Sequence, residues 1–145
     1  MKFSTQSLSE FETAAQEILS ELLVVPADQA LLIGLVGDLG AGKTTLVQTW
    51  AQELGVDRAV TSPTFTLVQR YKTTSPRFRE LIHADLYRLE EKRELTTIGA
   101  DDWGNDPAQL VVVEWPHQVP GLAEHLTYTI TITEPTPDKR EIVVS

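Results

Sequence analysis

The segment Gly37-Asp38-Leu39-Gly40-Ala41-Gly42-Lys43-Thr44 constrains this chain more than any other, because it matches G-x-x-x-x-G-K-S/T in full. Such a loop has to bend tightly enough for successive backbone N–H groups to point inward, and glycine at 37, 40 and 42 permits that bend. Its flanks suit a strand–loop–helix unit. Ala30 to Val36 is an apolar run bounded behind by Pro26 and Asp28, as expected of a buried strand. A helix is expected from Lys43 to Leu54, ending at Gly55, which accepts a left-handed cap without a Cβ penalty. A loop of this kind cradles a polyphosphate. Its amides and the positive helix end face the phosphates, Lys43 reaches the β- and γ-phosphates, and the Thr44 hydroxyl ligates Mg²⁺. Thr45 adds an α-phosphate contact, so residues 37–45 are the first candidate nucleotide-binding set.

Elsewhere the sequence reads as one domain over residues 1–145, without repeats, low-complexity tracts or a dividing linker. Hydrophobic residues are 41% and charged residues 23%, a balance that supports a packed core rather than disorder. The longest apolar run is too short to span a bilayer, and the first residues do not resemble a signal peptide. With no cysteine, disulfides, thiolate metal sites and thiol nucleophiles drop out, and a cytoplasmic location is expected. The net charge of −9 disfavours free-standing nucleic-acid binding. That charge is uneven: Arg70 to Arg93 holds seven basic residues against four acidic ones, so the segment carries +3 and the remainder −12. Such a run is either a solvated hairpin face or a docking surface for an acidic partner or for RNA held by a partner.

Ser9 and Glu12 fit a capping box, and Phe11, Ala14, Ala15, Ile18, Leu19 and Leu22 recur at helical spacing, which predicts a helix over 9–23. Strands over Thr66–Tyr71 and Arg79–Leu86 flank the Thr73–Pro76 turn as a hairpin. A short helix is expected from Glu90 to Ile98. Val111–Val113 suits a central strand buried on both faces, and Tyr128–Thr133 with Ile142–Val144 suits a second hairpin. Few helices and two hairpins predict an α/β fold: a mixed parallel and antiparallel P-loop NTPase-like sheet flanked by helices.

Further candidate chemistry lies at strand ends. Glu114 closes the strand Leu110–Val113, where a P-loop protein places an acidic group on the metal side, though Asp is usual there. A solvent-facing Glu is the plain alternative. Trp115 is either core filler or the lip of a ligand site. Thr61-Ser62-Pro63-Thr64-Phe65 is a hydroxyl-rich, proline-stiffened loop like those that sense a γ-phosphate, although Ser and Pro are also ordinary turn residues. His83 and Asp85 are two apart and project from one face; Asp85 is placed to orient water, while His83 is read as packing or hydrogen bonding before catalysis.

In order, G-D-L-G-A-G-K-T-T-L, T-S-P-T-F-T-L-V, H-A-D-L-Y-R-L, E-L-x-x-I-G and V-V-V-E-W-P resemble the bacterial tRNA threonylcarbamoyladenosine biosynthesis protein TsaE family, from Gly37 to Pro116. The resemblance implies a P-loop ATPase that docks on the partner pair TsaB–TsaD. Those partners transfer a threonylcarbamoyl group to the adenosine beside the anticodon, and the ATP cycle supports their turnover. It implies that Lys43 contacts phosphates, Thr44 and Glu114 hold Mg²⁺, and Asp85 assists hydrolysis. It also places Thr13 and Arg140 at the adenosine side, with Lys139 the alternative to Arg140. The chain departs from the family at His117, where an acidic residue is common.

Phosphoryl transfer depends on positioning and charge stabilisation. Thr61 or Thr64 is expected to close on the γ-phosphate while Asp85 and Glu114 aim water, so Lys43, Asp85 and Glu114 form the expected catalytic set. No arginine finger is evident, with Arg88 a candidate, which predicts slow hydrolysis without partners. Rival readings are a small-molecule kinase and a nucleotide-gated adaptor without useful turnover. A GTPase is disfavoured because no N-K-x-D motif occurs.

Overall fold

The computed structural model describes residues 1–61, 67–88 and 99–145. Chain order is β1 (Lys2–Thr5), α1 (Leu8–Leu23), β2 (Leu31–Val36), α2 (Lys43–Glu53), β3 (Val68–Lys72), β4 (Glu80–Asp85), β5 (Gln109–Glu114), β6 (Tyr128–Thr136) and β7 (Lys139–Val144). Among the described residues the strands form one 7-stranded sheet in the order β1-β7-β6-β2-β5-β4-β3. Its centre is parallel: β2 pairs with β5 and β6, and β5 pairs with β4. Antiparallel pairing of β3 with β4, and of β7 with β6 and β1, finishes the two sides. The mixed sheet is the expected one.

Burial explains the order. β2 and β5 read LLIGLV and QLVVVE and are covered on both faces, the position that continuous apolar strands suit. Alternation sends Leu31, Ile33, Leu35 and Val112 to one face, where Phe11, Ile18 and Leu19 of α1 and Leu46 and Trp50 of α2 cover them. Leu32, Val111 and Val113 face the other way onto Trp103, Leu122 and Leu126, on short helical turns and loops. Both described α-helices thus cover the same face. No described helix is long and apolar enough to cross a membrane.

Several expectations shift. Helix α1 begins at Leu8 and is capped by Ser7, whose Oγ accepts from Glu10 N at 3.1 Å, while Glu10 Oε2 accepts from Gln6 N at 2.7 Å. The S-x-x-E signature occurs twice here, at 7–10 and 9–12; extended backbone at Ser7 (φ −148°, ψ 163°) selects the earlier one. β1 was not expected, since four residues of which only Thr5 is buried carry little pattern and pair with β7 at the far end of the sequence. β6 runs through Pro135 to Thr136, because a register shift between Thr133 and Thr136 absorbs the missing N–H. The expected 90–98 helix, the 62–65 part of the threonine loop and the start of the 66–71 strand lie outside the described residues.

Three arginines of the basic segment meet partners within the chain. Arg70 pairs with Glu80 at 3.3 Å, Arg79 with Asp106 at 2.9 Å, and Arg77 donates to backbone carbonyls.

Candidate nucleotide site

The loop from Gly37 to Gly42 leaves the carboxyl end of β2 and enters α2 at Lys43. Its glycines answer to the protein as much as to a ligand. A Cβ on Gly37 would lie 2.6 Å from the Ile132 carbonyl oxygen of β6. Gly42 has φ +122°, and a Cβ there would meet the Phe11 ring at 2.9 Å. Helix α1 therefore sits directly beneath the loop. Leu39 stands 69% exposed at its tip, and Asp38 lends its carbonyl to Lys43.

Lys43 is buried, and its Nζ donates to the carbonyls of Gly37 and Asp38, the latter at 2.9 Å. It lies 4.6 Å from the centroid of the Trp115 ring, which packs against the Tyr87 ring at 5.0 Å with the planes tilted by 47°. Trp115 has φ 58°, a conformation unusual for a bulky residue; the chain turns there at once after Glu114 and sets the indole over the lysine. Burial pushes the Lys43 ammonium below its ordinary pKa, against the opposing pull of Glu114, Asp85 and Asp38.

Asp85 and Glu114 are register partners at the carboxyl ends of the parallel strands β4 and β5, and Leu35 of β2 is Glu114's partner on the other side. Both carboxylates are buried. Asp85 Oδ1 accepts from Tyr87 N at 3.0 Å. Burial first, and the charge of Glu114 after it, hold the Asp85 carboxyl above its usual pKa. His83 is fully buried, and its Nε2 lies 2.5 Å from Glu114 Oε2. The histidine expected to pack or hydrogen-bond thus bonds to a candidate metal ligand.

A cleft of about 270 Å³ opens among Lys43, Thr44, Thr45, Asp85, Arg88 and Glu114, with Trp115 as its lip. On the other side of the loop a second cleft, about 340 Å³, is lined by Gln6, Ser7, Phe11, Ala41, Thr45 and Arg140, among others. Gly40, Gly42 and Thr45 border both, so the loop forms a ridge between the two hollows. Ligand clefts in open α/β sheets lie at such strand ends.

Not every expected residue joins this cluster. Thr13 is exposed on α1, donates to the Ser9 carbonyl at 3.0 Å and lines a separate cleft with Phe3, Ser4 and Glu17. Helical geometry puts Phe11, two residues earlier, at the loop instead. Arg140 does reach the second cleft, but its Nε donates to the Ala41 carbonyl at 3.2 Å and its Nη1 to those of Pro137 and Lys139. Lys139 pairs with Glu141. Thr61 is exposed, and Thr64 lies outside the described residues. Gln6, Ser7, Phe11 and Tyr87 line the clefts without having been foreseen; only the helical stripe marked Phe11, and it pointed to the core.

The model of the family described as "Threonylcarbamoyl adenosine biosynthesis protein TsaE" matches residues 5–142. The chain belongs to the TsaE family. It is 35% identical over 131 residues to the Bacillus subtilis tRNA threonylcarbamoyladenosine biosynthesis protein TsaE, covering 90% of this chain and 77% of that one. It is 35% identical to the Haemophilus influenzae protein of that name, covering 77% of this chain and 68% of that one. A crystal structure of Bacillus subtilis YdiB matches with a TM-score of 0.68 at 29% identity, over 98% of this chain and 82% of that one.

Within this TsaE-family chain, Thr44 and Glu114 are oxygen donors of the kind Mg²⁺ accepts. Among the described residues no three His, Cys, Asp or Glu side chains cluster as a metal cage. Mg²⁺ takes one or two carboxylates with waters and phosphate oxygens, which Thr44 and Glu114 across the cleft would complete. His117, the departure from the family pattern, is exposed in the turn Pro116–Gln118.

Proposed function

We propose that this chain, as one ATPase domain over residues 1–145, binds ATP with Mg²⁺ and hydrolyses it in tRNA threonylcarbamoyladenosine biosynthesis, the role named for its family. The observation that carries the reading is the convergence of Lys43, Thr44, Asp85 and Glu114 at the carboxyl ends of β2, β4 and β5, around one cleft.

The loop amides and Lys43 grip the polyphosphate, with Lys43 leaving its two carbonyl partners for phosphate oxygens. Thr44 and Glu114 hold the metal, which when bound offsets negative charge on the phosphates. Asp85 Oδ1 is steadied by Tyr87 N, and Oδ2 takes a proton from the attacking water; a carboxyl raised above its usual pKa is a better base. Phe11, Gln6 and Arg140 border the base-side cleft. ATP turnover serves a TsaB–TsaD-type transferase pair in the cytoplasm, with tRNA met through that complex.

Calorimetry with MgATP, phosphate release and pull-down with and without ATP test this together. Wild-type protein is expected to bind ATP, to release phosphate slowly, and to turn over at least tenfold faster with TsaB–TsaD. A missing arginine finger costs about 10³–10⁵ in related enzymes, which leaves room for such stimulation. Lys43→Ala should weaken ATP binding roughly 100-fold, the scale of a lost charge-assisted contact. No heat on adding ATP would refute the binding site; a phosphorylated metabolite in place of free phosphate would make the protein a kinase.

A further inference from the structure

We infer that His83 is a positioning residue: it locks the buried Glu114 carboxylate in the orientation from which Glu114 serves the metal side of the nucleotide cleft. This rests on the proposed role of Glu114. His83 is fully buried on β4, with Val112 as its register partner on β5, and Glu114 follows two residues later on the same face. With Glu114 ionised, as a metal ligand must be, the hydrogen lies on Nε2, and Nε2–H donates to Oε2 at 2.5 Å. The other ring nitrogen, Nδ1, is buried with no hydrogen-bond partner among the described residues. A buried nitrogen without a partner carries a cost, and an apolar side chain beside Leu81 and Val112 would avoid it. What the imidazole contributes at this position is its one bond to Glu114.

Glu114 needs that bond. Its register partner is Asp85, a second buried carboxylate whose charge repels it. Without His83, the Glu114 carboxylate is left between that repulsion and the pull of the Lys43 ammonium, neither of which fixes its rotation. By holding Oε2, His83 leaves Oε1 for the metal side. Such outer partners of ligating carboxylates typically control metal affinity by 10- to 100-fold.

Three substitutions test this: His83→Leu removes the donor and keeps bulk; His83→Gln carries an N–H at the reach of Nε2; His83→Asn carries one only at the reach of Nδ1. ATP binding is measured by calorimetry in EDTA and across an Mg²⁺ titration, with folding followed by thermal melts. The expected result is that His83→Leu and His83→Asn bind ATP in EDTA within about twofold of wild type and need roughly 10- to 100-fold more Mg²⁺ to reach full affinity. His83→Gln should recover to within a few fold. Should His83→Leu fail to fold, the contrast between Gln and Asn carries the test. Equal Mg²⁺ midpoints in wild type, Gln and Asn would overturn the inference. Glu114→Ala separates the two failures. If it shifts the Mg²⁺ midpoint while the His83 variants do not, only the positioning role falls. If Glu114→Ala shifts nothing, Glu114 is not on the metal side and both fall.

Discussion

The two ends of β4 and β5 differ in how deeply they bury charge. At the amino ends, Arg77 lies over the Phe78 ring and donates to the carbonyls of Val25, Pro26, Gln29 and Pro107, joining three connecting segments. Asp106 accepts from Ala108 N at 2.9 Å and pairs with Arg79, and Glu80 receives Gln109 and Arg70. Each charge there meets an opposite charge or a dipole. At the carboxyl ends of the same strands, two carboxylates sit side by side in register, a lysine is buried against carbonyls and an indole, and an imidazole nitrogen has no described partner. The first end is arranged for the fold alone. At the second, burial disfavours the charged forms of Lys43 and Asp85, a cost that the proposed ligand would offset.

Three changes break or sharpen that contrast. The largest effect is expected from Asp85→Asn, which should slow ATP hydrolysis by about 10²–10³-fold, the scale for losing one proton-accepting or charge-stabilising group, while ATP binding stays within a few fold. The same change should stabilise the ligand-free fold. Because the Asp85 pKa is raised in the folded state, that state holds the proton longer than the unfolded chain does. Stability contributed by Asp85 is therefore lost as pH rises from about 4 through the folded pKa. Urea melts of wild type and Asp85→Asn should coincide near pH 3 and separate in favour of the variant as pH rises. A variant less stable than wild type at pH 7 would mean the carboxylate end is not a site of stored cost.

At the other end, Arg77→Ala should leave ATP affinity unchanged and lower stability by about 2 kcal/mol, since several carbonyls lose a charged donor in a half-buried setting. Equilibrium denaturation together with ATP calorimetry reads both; a loss of affinity would couple the two ends. The smallest effect is expected of Arg79→Ala. Its side chain is 69% exposed, so its pair with Asp106 should contribute less than about 0.5 kcal/mol and vanish in high salt. A larger cost would show that the amino end works as one network.

The phosphate-binding loop, its strand and its helix were legible in order because each depends on residues close in sequence: glycine spacing, an apolar run, helical periodicity. Glu114 was legible for the same reason, standing at the end of β5. Asp85 was found by its strand-end position, but not its side-by-side placement with Glu114. The boundary of α1 was misplaced because two capping signatures overlap, and the backbone at Ser7, not the residue types, chose between them. Thr13, expected at the adenosine side, lines a cleft apart from the loop, while Phe11 and Ser7 border the cleft beside the loop.

Sequence alone determined that a polyphosphate-shaped loop exists here, because amide geometry and the glycines that allow it are local properties. Tertiary structure alone decided what surrounds that loop: Phe11 beneath Gly42, Trp115 over Lys43, and His83 on Glu114, a bond across 31 residues of sequence. Those contacts follow from the register of parallel strands joined by long connections. Register is set by how two buried faces pack together, which no short stretch of residues encodes.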